Sequence, residues 1–216
     1  MSEFQDLAAN YSRCYGKNQL KFGTKPALIV IDVVKAYHDP SSPLYAPERF
    51  DTALVSIKNL ISKCRSASIP VIYTSVQFDS PISGGKWYTE KLPNVLCCFD
   101  KDNPYREFAE GVEPRKDELV LLKQYSSSFF GTSLSSLLAS MGTDCTIVCG
   151  YSTSGCVRAT ALDSMQHGYS PFVVREACGD RHAAVNDSNL FDMSQKFAEV
   201  VLEEEMMALI DGISKK

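Results

Sequence analysis

The sequence predicts an α/β fold, a three-layer α/β/α sandwich around a six-stranded, mainly parallel sheet. Three observations carry that prediction. Short apolar runs rich in β-branched residues recur without the alternation of half-exposed strands, the pattern of strands buried on both faces. Segments with apolar residues at helical spacing separate them, as crossovers between parallel strands require. The chain is 216 residues long, enough to close one large core.

Taken in order, residues 1–20 read as an N-terminal arm with a short helix carrying Phe4, Leu7, Ala8 and Tyr11, and residues 21–216 as one domain. Pro26 leads into a first strand, Ala27 to Ile31, ended by Asp32. Residues 50–66 place Leu54, Ile57, Leu60, Ile61 and Cys64 on one face of a crossover helix. Pro70 to Ser75 is a second strand, completing a right-handed βαβ unit. From Gln77 to Pro114 the chain is irregular, and an ordered loop of that length is usually functional. Within it Trp87 and Tyr88 follow a Gly-Gly pair and either line a pocket or pack in a satellite core or oligomer contact. Glu118 to Leu122 is a third strand with Lys123 at its end, and a helix through Leu134, Leu137 and Leu138 follows. The fourth strand, Cys145 to Cys149, runs through Gly150 into a small-residue loop, Tyr151 to Gly155. Cys156 then opens a helix with Ala161, Leu162 and Met165 at helical spacing, stopped at Gly168. Pro171 to Arg175 is a fifth strand, Val185 to Phe197 a helix, Ala198 to Leu202 a last strand and Glu203 to Ile213 the closing helix.

Composition narrows the function classes. A hydrophobic content of 44%, a charged content of 22% and a net charge of −4 describe an ordinary soluble protein with no nucleic-acid surface. No apolar run approaches the roughly 18 residues of a membrane span, and the polar N-terminus lacks the apolar region of a secretory signal. Eight cysteines without a CxxC pair read as reduced thiols in a cytoplasmic protein. His38, His167 and His182 are scattered, so no zinc site is expected.

Asp32, Lys123 and Cys156 end, or closely follow, three strands of one parallel sheet, and can converge on its carboxyl edge. A cysteine at a strand-to-helix turn is favoured as thiolate by the helix N-terminus, whose N–H groups also suit an oxyanion. Attack on an unactivated carbonyl needs a base for the thiol proton and delivery of that proton to the leaving amine. Asp32 fits both tasks, and Lys123 between two potential anions would hold both and favour ionisation of the thiol. No histidine is placed for this work, since His167 lies a helix-length beyond Cys156.

These features, with Phe22-Gly23, Asp39 to Leu44, Ser128 to Thr132, Ser152 to Thr160 and Glu176 to Arg181, resemble the isochorismatase-like cysteine hydrolases. Within them the chain is most similar to the N-carbamoylsarcosine amidase, maleamate and biuret hydrolase branch, over about residues 20–202. The resemblance implies a Rossmann-type sheet and a catalytic triad of Asp32, Lys123 and Cys156, with Cys156 the nucleophile. It also implies a cis Tyr151–Ser152 peptide, and an oxyanion hole from the Ser152 and Cys156 N–H groups. Arg181 matches the arginine that holds a substrate carboxylate in this branch. Tyr37, Trp87 and Phe129 are further substrate-binding candidates, whereas Arg158, one turn into the helix, reads as a brace. The region after the second strand, Gln77 to Ser80, lacks the histidine of the nicotinamidase metal site, so neither metal nor cofactor is expected. The implied activity is release of ammonia from a small linear amide or ureido substrate bearing a carboxylate, by a homotetramer. The alternatives are a catalytically silent binding or scaffold protein, and a redox-active thiol protein pairing Cys156 with Cys149 or Cys178.

Overall fold

The structure, a computed structural model, describes residues 7, 9–15 and 18–213. Six strands form the sheet: β1 (Pro26–Ile31), β2 (Val71–Val76), β3 (Leu119–Lys123), β4 (Cys145–Tyr151), β5 (Ser170–Gly179) and β6 (Glu199–Val201). All adjacent pairs are parallel, in the order β3-β2-β1-β4-β5-β6. The five principal helices are α1 (Pro47–Ser66), α2 (Leu134–Met141), α3 (Arg158–Gln166), α4 (Ala183–Lys196) and α5 (Glu203–Ile213).

The apolar runs fold as strands buried on both faces because the period-two backbone divides them between two cores. Leu28 and Val30 of β1 join Phe50, Ile57, Leu60 and Ile61 of α1 and Met206 and Ile210 of α5 on one face. Ala27, Ile29 and Ile31 join Leu134 and Leu138 of α2, Ala161 of α3, and Leu190 and Met193 of α4 on the other. Helices thus cover both faces, giving the expected three layers.

The strand order places a topological switch point between β1 and β4. From β1 the chain winds outward through β2 and β3, then returns to β4 and winds the other way. In such sheets the carboxyl edge at the switch opens a crevice, because the connections on its two sides depart to opposite faces. Gly150 permits the close approach of β4 to β1 there. It pairs with Ile31 at φ 122°, and a Cβ on it would lie 2.1 Å from the Ile31 carbonyl oxygen. Past that point the register with β5 jumps, Val148 facing Val173 but Gly150 facing Cys178.

Two elements differ from the sequence reading. Strand β5 runs on through Glu176 to Gly179, past the expected end at Arg175; the Glu176 carboxylate accepts the Glu203 N–H at the start of α5. Helix α3 buries Thr160, Ala161 and Ser164 and exposes Leu162. Its polar inward residues are satisfied: Thr160 Oγ1 accepts the Ser128 N–H at 3.0 Å, and Ser164 and Thr146 hydroxyls pair at 2.7 Å. In the N-terminal arm, Phe4 and Ala8 lie outside the described residues. The Tyr11 ring meets Phe191 edge-on, and Leu20 N–H donates to Glu199 at 2.7 Å, joining the arm to β6. Among the described residues no helix is long and apolar enough to cross a membrane.

Candidate active site

Asp32, Lys123 and Cys156 meet at the carboxyl edge of the sheet. Asp32 follows β1 with φ 52°, a left-handed conformation uncommon for a non-glycine residue, and one that concentrates at functional sites. Its N–H donates to the Thr74 carbonyl at 3.3 Å, and its Oδ1 accepts the Thr74 hydroxyl at 2.8 Å. The other oxygen, Oδ2, faces Lys123 Nζ at 2.7 Å. Lys123, the last residue of β3, has no exposed surface, and its ammonium also donates to the carbonyls of Tyr125 (3.1 Å) and Ser126 (3.0 Å). A fourth contact, at 3.4 Å, reaches Cys156 Sγ. The ammonium therefore touches both the carboxylate and the sulfur, and the adjacent loop carbonyls hold it in place.

Cys156 sits in a wide helical turn, Thr153–Val157, that precedes α3. The peptide between Tyr151 and Ser152 is cis. The Ser152 carbonyl accepts both the Gly155 and Val157 N–H groups at 3.1 Å, drawing the turn closed over five residues. Thr153 Oγ1 donates to Asn186 of α4 at 2.7 Å, and Ser154 N–H donates to the buried Asp180 carboxylate at 2.7 Å. Two neighbouring elements thus grip the turn.

The thiol is not in the thiolate-favouring setting that the sequence suggested. Burial pushes Cys156 up to about 12; Lys123 pulls it down, and the Asp32 charge beside it raises it again. The Cys156 residue is only 8% exposed, so loss of water outweighs one cation. For Lys123, burial works against the charged form, but Asp32 and Cys156 more than offset it and hold the ammonium above its ordinary value. The resting arrangement is a neutral thiol beside a buried ion pair.

The other candidates scatter. Arg181 follows Asp180 past β5, and its guanidinium donates to the carbonyls of Leu44 (2.8 Å) and Tyr45 (3.4 Å) instead of pairing with Asp180 or Glu176. It lines a surface concavity with Arg49 and His182. Tyr37 is buried against Phe50 and Tyr151, and burial, joined by the nearby Asp32 and Asp180 charges, raises its phenol well above the ordinary value. Phe129 packs in the same core cluster as Cys156, stacked on His167 at 4.8 Å. Trp87 is half-buried on the outer loop, stacked at 6.2 Å on Tyr125, whose carbonyl receives the Lys123 ammonium. Arg158 ion-pairs with Asp192 and lies over the Phe197 ring, a brace between α3 and α4. Asp79, in the segment after β2, is 3.8 Å from Lys101. Among the described residues no three His, Cys, Asp or Glu side chains converge as a metal site would require. The sequence reading gave no role to Thr74, Asp180 or Asn186, which position the groups it found; Asp180 stood in the Glu176 to Arg181 motif, and the polar Thr74 and Ser75 inside an otherwise apolar strand were the hint at Thr74.

The comparisons with known proteins agree with this fold. Residues 26–205 match the model of the isochorismatase domain. A maleamate amidohydrolase of Pseudomonas putida is 41% identical over 209 residues, spanning 96% of this chain and 96% of that protein. An N-carbamoylsarcosine amidase of Arthrobacter sp is 30% identical over 203 residues, spanning 91% and 75%. Among solved structures, a cysteine hydrolase from Pseudomonas syringae pv. phaseolicola 1448A superposes with a TM-score of 0.84 at 25% identity, covering 91% of this chain and 99% of that one. The chain belongs to the isochorismatase family.

Proposed function

We propose that the protein is a cysteine-dependent amidohydrolase that releases ammonia from a small linear amide or ureido acid. Maleamate is the first candidate, since the relative with 41% identity over nearly the full length carries that activity in its name. The observation that carries the reading is the buried contact set at the switch point: Lys123 Nζ at 2.7 Å from Asp32 and 3.4 Å from Cys156 Sγ.

In this reading the Cys156 thiol passes its proton to Asp32 as Sγ bonds to the substrate carbonyl carbon. The carbonyl oxygen becomes an oxyanion held by the Ser152 and Cys156 N–H groups. Such donors each typically contribute about 10²–10³ in rate. As the intermediate collapses the C–N bond breaks, and the nitrogen takes the proton from Asp32 and leaves as ammonia. A thioester, or a carbamoyl-thioester from a ureido substrate, remains. Water then attacks that carbon, Asp32 takes its proton, the C–S bond breaks, and the proton returns to Cys156. Lys123 stays charged throughout, balancing whichever of Asp32 and Cys156 is anionic. Arg181 is the residue we assign to the substrate carboxylate, in exchange for its bonds to Leu44 and Tyr45.

The test is ammonia release from maleamate, N-carbamoylsarcosine, ureidoacrylate and biuret, by the wild type and by Cys156→Ala. Release that disappears in the variant supports the thiol mechanism. Equal release by both proteins removes it.

A further inference from the structure

We propose that Asp180 is a positioning residue for the oxyanion donors, its carboxylate fixing the turn that presents the Ser152 and Cys156 N–H groups. The inference rests on the reading of those two groups as the oxyanion hole. Asp180 lies just past β5, 4% exposed. Its Oδ2 accepts the Ser154 N–H at 2.7 Å and its Oδ1 the Arg181 N–H at 2.8 Å. No lysine, arginine or histidine side chain pairs with it among the described residues. A buried carboxylate is costly to desolvate and is kept only where its hydrogen bonds do something a packed apolar residue would not. Here they join two backbones. Ser154 stands midway between the two oxyanion donors, and Arg181 is the proposed carboxylate anchor, so one side chain sets the distance between the reacting carbon's partners and the substrate's far end. Asn186 holds the same turn from α4 through Thr153. Asp180 supplies the restraint from the sheet, and misplacement of such donors by an ångström can cost a hundredfold. The largest charges acting on the Cys156 thiol are those of Lys123 and Asp32, so neutralising Asp180 should change the nucleophile's own ionisation little.

Asp180→Asn preserves shape and one acceptor oxygen, but turns an NH2 toward one of the two main-chain donors. The expected result is a fall in kcat of about ten- to a hundredfold with KM within about threefold. Alkylation of Cys156 by iodoacetamide, which forms no oxyanion, should proceed at the wild-type rate. Amide exchange at Gly155 and Val157, which close the turn on the Ser152 carbonyl, should be faster in the variant. An unchanged kcat overturns the inference, as does a fall in kcat matched by an equal fall in alkylation, the mark of general structural damage. If the wild type releases no ammonia from any of the four compounds, the proposed reaction fails separately. Exchange then decides: unaltered protection at Gly155 and Val157 overturns the role of Asp180, and faster exchange supports it. Should the Asn variant not fold, Asp180→Ser, which keeps a smaller acceptor, is measured in the same way.

Discussion

Replacing Lys123 with methionine removes a charge from a site with no solvent to replace it. The side chain has no exposed surface and ends in four contacts: Asp32 Oδ2 at 2.7 Å, two carbonyls at 3.0 and 3.1 Å, and Cys156 Sγ at 3.4 Å. Methionine fills much of the volume, so the loss is electrostatic. Asp32 is left as a buried carboxylate with only neutral side-chain donors, the Thr74 hydroxyl and the Cys156 thiol. Breaking a buried pair by removing one partner costs about 3–5 kcal/mol, because the other charge is left uncompensated. For a chain of this length each kcal/mol moves Tm by about 2–4 °C, so the variant should melt roughly 6–20 °C lower. The double variant Asp32→Asn with Lys123→Met removes both charges and should recover at least about 1.5 kcal/mol of the loss, a coupling expected only of groups in direct contact. Urea unfolding of the wild type, both single variants and the double variant supplies all four corners of the cycle. A Lys123→Met protein as stable as the wild type would refute the argument, and so would strictly additive losses.

Two further outcomes follow from the geometry. Gly150→Ala should be destabilised by at least about 3 kcal/mol or fail to fold, because the new Cβ would lie 2.1 Å from the Ile31 carbonyl oxygen at a φ of 122°; thermal unfolding reads it. Since burial pushes the Cys156 thiol up to about 12, its thiolate fraction should rise tenfold per pH unit, and alkylation at Cys156 about a hundredfold between pH 7 and 9. Mass-spectrometric labelling distinguishes it from the exposed Cys14, and a plateau within that range would contradict the burial argument.

The sequence carried the frame well and the fine positioning poorly, for identifiable reasons. Strands β1 and β4 were legible because both faces are covered, which forces apolar runs. Lys123 was legible because a cation ending such a run needs a reason to be there. The positive φ of Asp32 left no mark, since aspartate is common in turns of every kind. Nor did the burial of Cys156: Tyr151 to Gly155 reads as a small-residue loop, yet the Ser152 carbonyl gathers two N–H groups and winds Thr153 to Val157 into a helical turn. Helix N–H groups and a lysine, the effects that lower a thiol, are visible in sequence, whereas burial, which dominates at Cys156, is not. Long-range contacts such as Arg181 to Leu44, 137 residues apart, are invisible to any local pattern.

Trp87 is the chain's single tryptophan, and its ring lies 6.2 Å from that of Tyr125, nearly parallel at 18°. The carbonyl of that same tyrosine accepts from Lys123. Indole emission from the folded protein therefore has one source, one ring removed from the lysine clamp. A shift that carries the Tyr125 carbonyl away from the ammonium also changes the indole's neighbour, and with it the quenching and colour of the emitted light. The tryptophan thus reports on the tyrosine whose main-chain carbonyl the ammonium holds.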